Sequence, residues 1–217
     1  MINIFMDFKD KDLLVKSVQR SLNLLADGID GPLTWQTIFN KLGTSDEQPK
    51  EFKTVSTLSL VKKILALARD EVGVREIGNT NYGKRVNEYK SATNLDSTQG
   101  WPWCAAFICW LFREAMKGSS YSFKRPTTAS AWAFENWAAE QDMSVRTKKP
   151  HNGDIVAGDI IIFTFSHIGL AISAPDKNGM VQTIEGNTDD AGSREGGGVY
   201  IKDRHISKIR SRIRLCV

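Results

Sequence analysis

Apolar positions recur at helical spacing through the middle of the chain and at strand spacing toward its end. Leu60, Ile64, Leu67, Ala68 and Val72 form one stripe of a helix that Gly73 stops. Tyr82, Val86 and Tyr89 predict a second helix. Pro102 stands at the start of a strongly apolar third one, 103–116, with Gly118 just beyond it. Trp132, Phe134 and Trp137 predict a fourth. After Gly153 the period changes, and residues 160–165, 167–172, 180–184, 199–202 and 209–217 read as strands bounded by glycine and polar turns. Helices first and strands after, with short connections, predict an α+β fold in which helices pack on an antiparallel β-sheet.

The beginning of the chain has its own pattern. Val15, Val18, Leu22 and Leu25 share a helical face, and Asp27-Gly28-Ile29-Asp30-Gly31-Pro32 supplies turn chemistry. Thr34 can cap a second helix carrying Trp35, Ile38, Phe39 and Leu42. Two short helices on about 40 residues bury little apolar surface, so this piece needs a neighbour or a ligand. Residues 44–58 are polar without an amphipathic period and read as a linker. The predicted organisation is a small helical module over 1–43, the linker, and a larger domain over 59–217.

Composition narrows the class. Hydrophobic residues make up 41% and charged residues 25%, which fits a soluble globular chain and excludes disorder, collagen and a disulfide scaffold. The longest apolar run, 103–112, is too short for a bilayer, which takes about 20 residues, so no stable membrane insertion is predicted. The first ten residues lack the basic start, apolar core and cleavage site of a secretory signal, which predicts synthesis in the cytoplasm and delivery by some other route. A net charge of +4 does not single out nucleic acid as a partner. Cys104, Cys109 and Cys216 give an odd thiol count, no Cys-x-x-Cys pair exists, and His151, His167 and His205 are scattered. No metal site and no cofactor is predicted from such spacing.

Candidate chemistry starts at Cys104. It lies in the first turn of the most apolar helix, where unpaired N–H groups and the helix dipole favour a thiolate. A buried core thiol is the commoner fate of cysteine, and mid-helix Cys109 fits that reading. Five helical positions set the two thiols about 140° apart round the axis, so they face different ways. His167 falls at the junction of two predicted strands, where a rigid scaffold can hold an imidazole; His151 and His205 read as solvated. Glu185 and Asn187 lie two apart on a predicted strand and so would share a face. Either could accept the ring N–H and fix the tautomer that serves the thiol. The alternative is an ordinary turn at Gly186-Asn187. Trp101 and Trp103 flank the cysteine and could line a substrate groove, although packing is favoured for one of the two. Gln99 could add an oxyanion donor.

Three blocks together resemble one family. Trp103-Cys104-Ala105-Ala106-Phe107, then Gly158-Asp159-Ile160-Ile161-Ile162-Phe163 with His167-Ile168-Gly169, then Ile184-Glu185-Gly186-Asn187 are similar to the cysteine, histidine-dependent amidohydrolase/peptidase (CHAP) family of the papain-like superfamily, which includes the NlpC/P60 enzymes. The resemblance spans about residues 60–217. It implies Cys104 as nucleophile, His167 as base, Glu185 orienting the imidazole and Asn187 as a fourth polar member. It also implies peptidoglycan as substrate, cut at the muramic acid–peptide amide or within the peptides. Separately, Val18-Gln19-x-x-Leu22 and Asp27-Gly28-Ile29-x-Gly31-Pro32-x-Thr34-Trp35 resemble a shortened form of the peptidoglycan-binding module found on wall hydrolases.

The leading expectation is therefore a monomeric wall hydrolase of the phage or prophage endolysin type, acting on the cell wall after release. An antibacterial effector would share every one of these features. A papain-like hydrolase of non-wall amides, or a non-catalytic wall-binding protein, are the other classes left open. Two further features count for less. Residues 192–198 are glycine-rich but lack the Gly-Lys-Ser/Thr ending of a phosphate loop, so a hairpin beside the site is expected. Arg210, Arg212 and Arg214 alternate with Ser211, Ile213 and Leu215, which predicts a strand with one solvated, basic face at an edge.

Overall fold

A computed structural model of the chain describes residues 57–141, 144–146 (backbone only) and 154–215, with Lys16 besides. The chain divides into two units, Met1–Phe52 and Lys53–Val217. The helical module apart from Lys16, most of the linker, His151 and Cys216 lie outside the described residues.

The apolar stripes become four helices. Helix α1, Thr57–Asp70, turns Leu60, Ile64 and Ala68 inward, and the chain leaves it through Gly73 at φ +100°. Helix α2, Lys84–Lys90, buries Val86 and Tyr89, and also the charged Lys90. Helix α3, Cys104–Ala115, is apolar nearly all round its circumference, and ten of its residues are buried, as befits a helix enclosed on every side. Helix α4, Ala133–Glu140, contributes Phe134, Trp137 and Ala138.

The extended segments form one six-stranded sheet. Its strands are β1 Ser144–Arg146, β2 Ile160–Phe163, β3 Ile168–Ala171, β4 Met180–Thr188, β5 Gly198–His205 and β6 Ile209–Arg214. They lie in the order β1-β6-β2-β3-β4-β5, and every neighbouring pair is antiparallel. The fold is α+β. Alternation divides the sheet's side chains between two faces. Ile160, Ile162, Ile168, Leu170, Ile184 and Ile213 join the helices in the main core. Ile161, Phe163, Ala171, Val181 and Ile209 form a smaller cluster with Ile155. Cover on both faces is why β2 and β3 read as unbroken apolar runs.

Gly186 fixes how closely α3 approaches the sheet. A Cβ there would sit 2.8 Å from Phe107 Cβ and 2.8 Å from Trp103 Cζ3, so only glycine admits the helix at this distance.

One expectation is corrected here. Strand β6 is no solvated edge: it lies between β1 and β2. Its arginines are engaged by neighbouring acceptors. Arg210 pairs with Glu135 of α4 at 2.9 Å, Arg212 donates to the Asp154 carbonyl at 3.0 Å, and Arg214 forks onto Asp159 at 2.8 Å through each nitrogen. The sequence pattern shows alternation but not which strand will pair on the other side. That partner includes β1, a three-residue strand too short to register as a pattern at all.

Candidate active site

Residues 99–103 lead into α3 and are pinned from below. The buried Lys90 ammonium donates to the carbonyls of Gln99 (2.7 Å) and Asn81 (3.0 Å) and lies 4.7 Å from the centre of the Tyr82 ring. Burial lowers its pKa, against the nearby charges of Asp96 and Glu76. Trp103 then serves as N-cap residue without a side-chain cap bond. The first N–H groups of a helix have no intrahelical partner, and Cys104 opens α3 at that point. Its sulfur therefore meets unpaired donors and the positive end of the dipole.

The imidazole arrives from the sheet. Ser166, at φ +56°, turns the chain between β2 and β3, and the Phe163 N–H closes the turn on the His167 carbonyl at 2.9 Å. His167 is fully buried, and its ring stacks beside Phe165 (centroids 5.9 Å apart) and Phe163 (6.0 Å). Nε2 lies 3.1 Å from Glu185 Oε2, an ion-pair distance outside good hydrogen-bond alignment. Nδ1 has no hydrogen-bond partner and is the ring nitrogen left by the approach of Glu185 to Nε2; the Cys104 thiol is near enough to act on the charge of the imidazole. Burial pushes the imidazole pKa down, but interaction with Cys104, and with Glu185, outweighs it and holds the pKa up at about 9. Cys104 keeps 6% of its surface exposed while His167 and Glu185 keep none.

Glu185 lies on the sheet face turned away from the helices. Gly169 makes room for it, since a Cβ at 169 would stand 2.7 Å from Glu185 Cγ. Its carboxylate receives the Thr183 hydroxyl at 2.6 Å and two Arg204 N–H groups at 2.9 and 2.5 Å. Burial raises the carboxyl pKa, yet Arg204 and His167 together bring it down to about 2. The whole array alternates in sign from Arg204 through Glu185 to the imidazolium.

Residues 96–187 match the family model described as the CHAP domain. The chain carries a CHAP domain. No curated protein and no solved structure matches the chain. A CHAP domain is a cysteine, histidine-dependent amidohydrolase or peptidase, and its matched segment here contains Cys104, His167, Glu185 and Asn187.

The other candidates fall unevenly around this CHAP site. Asn187 does not share a face with Glu185 by simple alternation, because a bulge interrupts β4 between Glu185 and Thr188 and Asn187 adopts φ +60°. Its Nδ2 donates to the Arg194 carbonyl at 3.4 Å, and its buried Oδ1 has no partner. Trp103 is fully buried, stacks on Tyr89 and donates to Glu76 at 2.9 Å, so it packs in the core and lines no groove. Trp101 is half-buried, tied to the Asp96 carbonyl at 2.8 Å. Gln99 is exposed, and its amide reaches Asp96 only at 3.4 Å. Cys109 donates to the Thr128 carbonyl, and burial pushes its pKa up to about 12, which leaves it a core thiol. Sequence reasoning missed Arg204 and Lys90. A cation amid the alternating 200–205 segment reads as solvated until its pairing with β4 is known. Among the described residues no group of three His, Cys, Asp or Glu could hold a metal, and no helix is long and apolar enough to cross a membrane.

Proposed function

We propose that this protein hydrolyses an amide bond of bacterial peptidoglycan by thiol chemistry, with Cys104 as nucleophile, His167 as general acid–base, and Glu185 orienting the imidazole. The observation that carries the reading is the His167–Glu185 pair at 3.1 Å, with Cys104 opening α3 and acting on the same imidazole, within a CHAP domain.

The reaction follows from those atoms. The Cys104 thiolate attacks the amide carbonyl carbon, and the carbonyl electrons move to oxygen. The backbone N–H groups at the start of α3, Cys104 among them, are placed to donate to that oxyanion. As the tetrahedral intermediate collapses, the C–N bond breaks and the imidazolium gives its proton to the leaving amine. His167 then takes a proton from water, whose oxygen displaces the thiolate from the thioester. Asn187, with its buried unpaired Oδ1 near the end of β4, is the proposed fourth polar member. Half-buried Trp101 and exposed Gln99 are the proposed substrate contacts.

The wall as substrate is supported by the family and by the resemblance of residues 18–35 to a wall-binding module. An endolysin role, acting on the wall after release, is the setting we propose for it. Incubation of purified protein with sacculi tests the reading. Mass spectrometry of the released fragments would show new termini from one broken amide and so distinguish amidase from endopeptidase cleavage. Cys104→Ala should abolish release while leaving sacculus binding intact. Undiminished release by that variant would refute the thiol mechanism.

A further inference from the structure

Glu185 is fully buried, and an isolated carboxylate in such a place tends to take up a proton. It would then lose the charge that makes it a good acceptor for the imidazole. The polar groups around it come from three elements. Thr183 of its own strand donates a hydroxyl, His167 approaches from the turn before β3, and Arg204 approaches from β5. Arg204 lies opposite Val181 in the β4–β5 ladder, on the same sheet face as Glu185. Cys104 also acts on the charge of the imidazole. Lys202, the next cation on that face of β5, is turned to the carbonyls of Asp189 and Asp190.

We propose that Arg204 is a positioning residue, whose guanidinium holds the Glu185 carboxylate in place as the acceptor that aims His167 at the Cys104 sulfur. This deepens the thiol-hydrolase reading above and rests on it. Three features favour this role over simple strand stability. The fork engages both carboxylate oxygens, so Oε2 is shared between Arg204 and His167 and cannot move without both. The guanidinium carbon lies 5.4 and 5.3 Å from the ring centres of Phe163 and Phe165, the same rings that flank the imidazole, so one aromatic wall sets both cations. The remaining nitrogen, Nη1, donates to the Gly192 carbonyl at 3.1 Å, which fixes the plane of the fork and ties the glycine-rich connection to it. Lysine can supply the charge but not the fork.

The test is the rate at which iodoacetamide alkylates Cys104, followed by peptide mapping from pH 4 to 9 in the full chain, on the wild type, Arg204→Met and Arg204→Lys. This readout needs no substrate. Removing the guanidinium lets burial drive Glu185 toward its protonated form at higher pH, so the acid limb of the profile should move up by about one unit and the rate at pH 5 should fall about tenfold in Arg204→Met. Arg204→Lys should fall between the two. A folded Arg204→Met whose profile overlays the wild type overturns the proposal, as does an Arg204→Lys profile that overlays the wild type. If Arg204→Met does not fold, a wild-type rate at pH 5 in Arg204→Lys overturns it and a reduced rate supports it. Shifted profiles in a protein that leaves sacculi intact would remove the wall substrate and leave the role of Arg204 standing.

Discussion

Two glycines decide how close the reacting groups come. Gly169 lies two residues after His167 and leaves space for Glu185 Cγ, and Gly186 lets Phe107 and Trp103 of the helix side touch β4. Gly169→Ala is expected to displace the carboxylate and lower the hydrolysis rate at least tenfold with little change in melting temperature. Gly186→Ala meets a ring and a helical Cβ, and such overpacking costs about 1–3 kcal/mol, to be read by denaturant unfolding. The charges themselves set a pH window. Glu185, with its pKa brought from 4.5 to about 2, contributes stability that is present above pH 4.5 and lost as pH falls through 2. His167, raised from 6.5 to about 9, contributes stability that is present below pH 6.5 and lost as pH rises through 9. Melting temperature should therefore be highest between these limits and decline toward pH 9, and Cys104→Ala should make that alkaline decline shallower. At this scale Cys104, His167 and Glu185 are legible in the sequence as candidates, because a helix start and strand ends are local patterns. It does not reveal that Asn187 leaves the alternation, since a bulge depends on the partner strand, nor that Trp103 is sealed under Tyr89.

Elements transmit the sequence less evenly. Helices α1 to α4 follow from apolar spacing because each satisfies its own backbone. Strands depend on neighbours far along the chain, and there the reading errs: β6 carries an arginine alternation that suggests solvent, yet lies inside the sheet between β2 and β1. Its Arg214–Asp159 fork joins the strand's end to the residue before β2, and Asp159 also accepts the Val156 N–H at 2.9 Å. Asp159→Ala would strip both donors of a buried acceptor and is expected to cost about 1–3 kcal/mol, measured by urea unfolding. The approach to α3 depends likewise on a residue from another element. Lys90→Met should leave the carbonyls of Gln99 and Asn81 without their donor, loosening the segment that presents Cys104. A fall in the hydrolysis rate together with lower thermal stability is the expected result, seen in sacculus lysis and calorimetry.

At the scale of the whole molecule, the CHAP match ends at residue 187 while the domain's unit continues to the end of the chain, and Arg204 belongs to that continuation. Met1–Phe52 forms the other unit. A chain lacking residues 1–52 is expected to keep the Cys104 alkylation rate while losing retention on sedimented sacculi, with equal retention counting against a binding role for that segment. One further property follows from where Glu185 is placed. The sheet itself stands between this carboxylate and the helices, and no part of the carboxylate side chain meets solvent. Dissolved ions cannot enter to screen a pair enclosed in this way, whereas the surface contacts that hold a charged polymer weaken within a Debye length of about 8 Å at physiological ionic strength. Concentrated salt should therefore release the enzyme from its polymer long before it quiets the thiol.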